Sequence, residues 1–408
     1  MTPARPLGAL AATAPLPAPR PPVSRRRELR IWWREIDRVL LLLVALLMAI
    51  GAVAVAAASP STARRLSTAD TGLGDLHFFW LHLRFLALGI CVLLGISVLP
   101  KVAVRRLAIG LAAAMLLGLV LVPLIGFEVN GARRWINLGV GFQPSEFLKP
   151  AFIVTSAWIL SWKMRDPQMP VIGVSAGLLA VIVALLLMQP NLGDAILFAG
   201  AWFVLALVAG LPLQRLGLFG GCVAGLIALA YLFYDNARHR IDSFLGGGTA
   251  FDQVDLADRT LMAGGWTGTG LGLGQKKMML PEAHTDYIFS VIGEEFGLLA
   301  CGVVVVLYLA IVLRALARLV DEDDVFTVLA AGGLATLLGG QAFINILVNL
   351  QLFPSKGMTL PLISYGGSST IAQCFVVGML LAITRRNPSL ERDKFNLRQA
   401  LERQGAQR

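Results

Sequence analysis

Leu280-Pro-Glu-Ala-His-Thr-Asp286 runs straight into Tyr287-Ile-Phe289 and the apolar sequence beyond it. The junction sets a carboxylate and an imidazole at the mouth of a helix too apolar for water, at the end of a long polar loop. Working outward, the apolar run covers residues 287–313, and comparable runs recur at 38–59, 77–99, 106–126, 144–163, 170–188, 191–210, 213–233, 325–350 and 367–384. About 20 consecutive apolar residues span a bilayer core as a helix. The runs are continuous rather than alternating, which excludes a closed barrel. Helices then remain as the way to satisfy the backbone in lipid. The expected fold is all-α: a polytopic membrane protein with about ten transmembrane helices and a long loop, 234–286, before the eighth.

Composition agrees. Of 408 residues, 56% are hydrophobic and 15% charged, where a soluble domain carries roughly a quarter charged; mean hydropathy is +0.72. The net charge of +10 sits in tails and short loops, where it orients a membrane protein, so it argues for no nucleic-acid partner. Cys91, Cys222, Cys301 and Cys374 all lie in apolar runs, and the histidines lack metal-ligand spacing. Residues 1–36, Pro/Ala-rich and then Arg-rich, read as a mobile tail without a cleaved signal peptide. Residues 37–386 read as one membrane domain and 387–408 as a second tail. The loops on the side of the tails carry roughly twice the Lys and Arg of the opposite set. Both termini are therefore expected in the cytoplasm, with 127–143, 234–286 and 351–366 facing outward. ATP cannot reach that side, and no phosphate-binding glycine loop is present.

The outward segments hold the candidate chemistry. Two readings of Asp286 stay open: a base at the membrane–water boundary, able to take a proton from a hydroxyl, or a helix N-cap. His284 reads as a hydrogen-bonding partner. Glu294 and Glu295, roughly 10–13 Å deeper along the helix, read as a buried ion pair in preference to a wet cavity, with Arg84 and Lys149 as candidate partners. Glu146 and Lys149, spaced i,i+3, can pair on one helix face. Arg133, Arg134 and Lys149 could hold a phosphate-bearing group. Asn191 and Asp194 read structurally, as the acidic start of the sixth helix. Lys276 and Lys277 close a glycine-rich stretch, Gly264–Gly274. Pro354-Ser-Lys-Gly-Met-Thr-Leu-Pro-Leu-Ile-Ser-Tyr-Gly-Gly-Ser-Ser369 reads as a re-entrant cavity wall offering Lys356 and the hydroxyls of Ser364, Tyr365, Ser368 and Ser369.

Leu280–Glu295 and Pro354–Ser369, with the Arg-Trp-Ile, Gln-Pro-Ser-Glu and Gln-Pro-Asn-Leu-Gly pieces, make the chain resemble the SEDS family (shape, elongation, division and sporulation) over roughly residues 30–388. The division member is the nearer likeness and the elongation member the alternative. The resemblance implies a peptidoglycan glycosyltransferase of the bacterial inner membrane, acting on lipid II at the septum. It further implies a class B penicillin-binding protein and other division proteins as partners. It places the catalytic aspartate on Asp286 and cavity charges on Arg84, Arg134, Glu146, Lys149, Glu294, Glu295 and Lys356. Arg134, Lys149, Lys276 and Lys356 are the candidates to neutralise a leaving diphosphate, with a divalent cation, Mg or Mn, as the one cofactor to consider. The family's usual Tyr-Gln pair in the long loop reads Asp252-Gln253 here, which leaves Gln253 as the loop's candidate contact. A lipid II transporter and a non-catalytic scaffold are the rival functions.

Overall fold

The computed structural model describes residues 25–386 apart from 68–71, 130–131, 138, 140, 165, 167, 213, 215, 234, 248–252 and 356. Ten long helices match the ten expected spans: α2 (Arg38–Leu66), α3 (His77–Val98), α4 (Lys101–Ile125), α5 (Pro144–Ser161), α6 (Val171–Met188), α7 (Leu192–Val208), α8 (Leu216–Phe233), α11 (Ile288–Ala317), α12 (Val325–Asn349) and α13 (Gly367–Ile383). Among the described residues, six of them, α2, α3, α4, α6, α11 and α12, are long and apolar enough to cross a membrane; α7 and α13 are shorter apolar helices. Shorter helices α1 (Arg25–Glu35), α9 (Asp235–Asp242) and α10 (Gln253–Ala263) lie outside the spans.

Side-chain ties mark two ends of the bundle. At one end Asp37 caps α2 through Val39 N and Leu40 N and accepts from Arg314 and Arg318 at 2.8 and 2.7 Å. At that same end Trp32 donates to Ser97, and Arg385 pairs with Glu35. The other end gathers the turn before α11, the segment before α13, and the starts of α5 and α7. Between them α5 forms the centre, with Leu148, Phe152 and Ile153 at most 1% exposed, packed by α4, α7, α12 and α13. Helices α3 and α13 meet closely enough that a Cβ on Gly378 would lie 2.8 Å from the Leu93 carbonyl oxygen, the small-residue contact by which membrane helices pack.

Four local features depart from the sequence reading. The tail read for residues 1–36 is not mobile throughout: α1 begins at Arg25 and is fastened by Trp32 and Glu35. Helix α2 continues through Pro60 to Leu66, a proline of the kind membrane helices tolerate; the Ser59 and Ser61 hydroxyls donate to the carbonyls of Asp75 and Ala58. The segment after α4 is a small antiparallel sheet of β1 (Phe127–Val129), β2 (Ala132–Asn137) and β3 (Gly141–Phe142), in that order.

The fourth is a break in α11 at Gly297, φ 82° and ψ 173°, a conformation that suits glycine. The glycine-rich loop fills it. Thr269 N and Gly270 N donate to the carbonyls of Glu294 and Glu295 at 2.9 and 3.0 Å. Leu298 N and Leu299 N donate to Gly265 and Trp266 at 3.0 and 3.3 Å. The loop thus supplies partners for four backbone groups at the break. This explains the length of the eighth apolar run: it is two helical pieces with loop chain laid into the join.

Candidate active site

A cavity of about 770 Å³ opens at the end of the bundle that carries the Asp286 turn, within the roughly 300–1,000 Å³ usual for a ligand site. Asp286, Pro281, Glu282 and Thr285 form one wall. Gly357, Thr359, Ser368 and Ser369 form a second, and Arg134, Glu146, Asn191 and Asp194 a third; Arg65 and Gln253 stand on its rim.

The turn that carries Asp286 is fastened by its backbone. Three successive carbonyls are each engaged: His284 O by Tyr365 N at 3.0 Å, Thr285 O by Ser364 Oγ at 2.5 Å, and Asp286 O by Asn345 and Asn349 Nδ2 at 2.8 and 3.2 Å. Glu282 takes a positive φ of 53°, a strained conformation that persists only when its surroundings over-determine it. Thr285 holds it there by donating to the Glu282 carbonyl from its N–H and to the Glu282 carboxylate from its hydroxyl. Of the two readings of Asp286, the cap is not what the chain builds. Tyr287 is the N-cap residue of α11 and makes no side-chain cap bond, while Asp286 is half-buried on the cavity wall.

His284 has the partner role expected of it and no place on the cavity wall. Its Nδ1 lies 3.1 Å from Thr62 Oγ1, and its ring stacks on Tyr365 at 5.2 Å. Burial drives its pKa down to about 4, so it is neutral at physiological pH. Ser364 is likewise turned from the cavity to Thr285 and to Leu360 N, which donates to its hydroxyl at 2.8 Å.

Lys149 is not available to a ligand. Its ammonium, 2% exposed, is held between Glu146 Oε1 at 2.7 Å and Asp194 Oδ1 at 3.1 Å. Ser145 Oγ and Asn191 Nδ2 complete Asp194's shell, each at 2.8 Å. The Glu146–Lys149 pair is as the spacing predicts; Asp194, read as a helix-start residue, is the second counter-ion and lines the cavity. Glu294 and Glu295 are both buried as expected, but only Glu295 is ion-paired, and with neither Arg84 nor Lys149. Glu295 pairs with Lys277, and Glu294 accepts from Lys276 N and Lys277 N at 2.6 and 2.8 Å. The reason is local: the inserted loop reaches both carboxylates before any other span does. The two glutamates therefore hold the loop and do not line the cavity. Arg84 is exposed on α3, and the Lys276 side chain is exposed on the loop; neither lines the cavity.

Arg134, Glu146, Gln253 and Ser368 do line it. Arg134 donates to the Gln189 carbonyl at 3.2 Å and also to that of Pro190, bracing the tight turn between α6 and α7. Lys356 and Asp252 lie outside the described residues. Sequence reasoning missed Arg65, because the first span was ended at Pro60, and Asn345 and Asn349, whose i,i+4 spacing inside an apolar run was the available signal. Among the described residues no three His, Cys, Asp or Glu side chains converge as metal ligands.

A family model described as a cell cycle protein and covering FtsW, RodA and SpoVE matches residues 37–389. A probable peptidoglycan glycosyltransferase FtsW of Caulobacter vibrioides is 38% identical, over 89% of this chain and 93% of its own length. One from Halorhodospira halophila is 36% identical over 86% and 90%. Among solved structures, a chain of a peptidoglycan synthase complex that coordinates polymerization and crosslinking superposes with a TM-score of 0.68 at 29% identity, covering 86% of this chain and 98% of that one. The rod shape determining protein RodA of Thermus thermophilus gives 0.63 at 30% identity, covering 87% and 99%.

Proposed function

This chain belongs to the FtsW/RodA/SpoVE family, called SEDS above, and from that premise we propose that it is a peptidoglycan glycosyltransferase that polymerises lipid II with Asp286 as general base. One observation carries the assignment of the base: a half-exposed carboxylate on the wall of an open cavity, its backbone pinned by neighbouring segments. Asp286 takes the proton of the acceptor's N-acetylglucosamine 4-hydroxyl as that oxygen attacks C1 of the donor's N-acetylmuramic acid. The new C1–O bond forms as the bond from C1 to the diphosphate oxygen breaks. Undecaprenyl diphosphate departs with the electron pair, and a single displacement on an α-linked donor gives a β-linked product.

Negative charge grows on the diphosphate, and cationic groups on the wall stabilise it. Arg65 and Arg134 are the guanidinium groups in position. Lys149, spent on Glu146 and Asp194, is withdrawn from that role. The site works from the outer face of the bacterial cytoplasmic membrane with both termini inside, at the septum, beside a class B penicillin-binding protein and other division proteins. The Arg-rich N-terminal segment and the division names of the relatives support this.

The test is lipid II polymerisation by full-length protein, read as glycan strands on a gel. Asp286→Asn is expected to lower the rate by about 10²–10⁴ while leaving the protein folded. Full-rate polymer formation by that variant would remove the base from the mechanism. Labelling of a cysteine placed in 264–279 by an impermeant reagent on intact spheroplasts tests the orientation.

A further inference from the structure

Helix α12 presents three buried side-chain amides at i, i+4 and i+8: Gln341, Asn345 and Asn349, exposed by 1%, 2% and 0%. All three donate to main-chain carbonyls of other segments. Gln341 Nε2 reaches Thr359 O at 3.0 Å. Asn345 Nδ2 donates both to Met358 O at 2.6 Å and to Asp286 O at 2.8 Å, and Asn349 Nδ2 reaches Asp286 O at 3.2 Å. Asn349 is oriented in turn, because its Oδ1 accepts from Ser290 N and Ser290 Oγ at 3.2 and 2.8 Å. Gln373 steadies the far rung, donating to Gln341 Oε1 at 3.0 Å.

Polar amides are expensive in an apolar helix, and these are spent on the two segments that wall the cavity. Asn345 alone joins them, since one NH₂ group bonds the carbonyl of the proposed base and a carbonyl of the 357–359 wall. The two walls nearly touch: a Cβ on Gly357 would sit 3.5 Å from Asp286 Oδ2. An amide has two hydrogens in a fixed plane, so two acceptors on one nitrogen set the spacing of the walls as well as their contact.

We infer that Asn345 and Asn349 are positioning residues for Asp286, fixing its peptide plane against the opposite wall so that its carboxylate meets the acceptor hydroxyl. The inference rests on Asp286 being the base. Neither asparagine lines the cavity, so substrate affinity is not their office. Misplacement of a reacting group by about 1 Å costs on the order of 10²-fold in rate.

The experiment measures kcat and KM for lipid II with purified full-length Asn345→Ala, Asn349→Ala, Asp286→Asn and Gln373→Ala, alongside melting temperatures. Gln373→Ala loses a buried bond of the same ladder without touching either wall. Both asparagine variants are expected to lose kcat, Asn345→Ala by about 10²-fold and Asn349→Ala by less, with KM within twofold, while Gln373→Ala keeps its kcat at a comparable melting temperature. Equal kcat losses in all three, or a loss carried by KM, would make the ladder ordinary packing and overturn the inference. If Asn345→Ala does not fold, Asn349→Ala, which leaves Asn345 in place, decides by the same split. If Asp286→Asn keeps full activity, the base assignment fails and this inference with it. If Asp286→Asn is inactive and both asparagine variants run at full rate, only the positioning role fails.

Discussion

Replacing Lys149 tests whether the cation beside the cavity is structural. Its ammonium lies 2.7 and 3.1 Å from two carboxylates, a gross attraction of roughly 6 and 5 kcal/mol at an effective dielectric near 20. Most of that is offset by the cost of desolvating three charges. In Lys149→Met the attraction is gone and Glu146 and Asp194 face each other without a cation. They do not both stay ionised: protonating one carboxylic acid at pH 7 costs about 4 kcal/mol, and this sets the scale of the penalty. It agrees with the loss of about 3–5 kcal/mol usual when one member of a buried pair is removed. The variant should therefore melt on the order of 8 °C lower, followed by tryptophan fluorescence in detergent. Combining Glu146→Gln, Lys149→Met and Asp194→Asn replaces the charges by neutral groups and should regain most of the loss. A single variant that melts at the parental temperature, or a triple variant no steadier than the single, would refute the reasoning.

Three further outcomes are expected. His284 has a folded pKa near 4 against an ordinary 6.5. The unfolded chain therefore takes up its proton first as pH falls. About 3 kcal/mol of stability, fully present above pH 6.5, is lost progressively toward pH 4. His284→Phe should flatten that part of a melting-temperature profile, and an unchanged slope would show that the imidazole is not its source. Lys277→Met leaves Glu295 without its cation and should speed proteolytic nicking within 264–279 several-fold, whereas Lys276→Met, whose side chain is exposed, should not; equal effects would contradict the pairing. Arg65→Gln should raise KM or lower kcat for lipid II about tenfold if its guanidinium meets the diphosphate, the strength of one charge-assisted hydrogen bond, while leaving the melting temperature unchanged.

The ten spans were legible because each is set by its own composition; the expected limits of α12, 325–350, differ from Val325–Asn349 by one residue. The i,i+3 pairing of Glu146 with Lys149 was legible for the same reason, being internal to one helix. Asp194 was not, because its partner comes from another span and only packing brings them together. Pro60 misled, since a proline ends helices in water more often than within a membrane bundle. Of the polar groups beside the Asp286 turn, Glu294, Glu295 and Ser364 were identified correctly by type and wrongly by partner, while His284 took the hydrogen-bonding role expected of it. Glu294, Glu295, His284 and Ser364 all serve to hold chain in place. A sequence shows that a polar group is buried; which carbonyl or cation it meets is decided by long-range contacts.

The join in α11 makes the glycine-rich loop part of the membrane architecture. Stripping residues 265–270 away would strand four main-chain groups, and each such group unmet in an apolar setting costs several kcal/mol. Loop and helix must therefore loosen as one cooperative unit, with amide exchange at Thr269, Gly270, Leu298 and Leu299 slowing or quickening in step. Reporter tags and cleavage sites intended for this long connection would be ruinous between Gly264 and Gly270. A ligand or protein that tugs on the loop would hand its displacement to the short helical piece beginning at Ile288, two residues beyond the carboxylate on which the chemistry is proposed to turn.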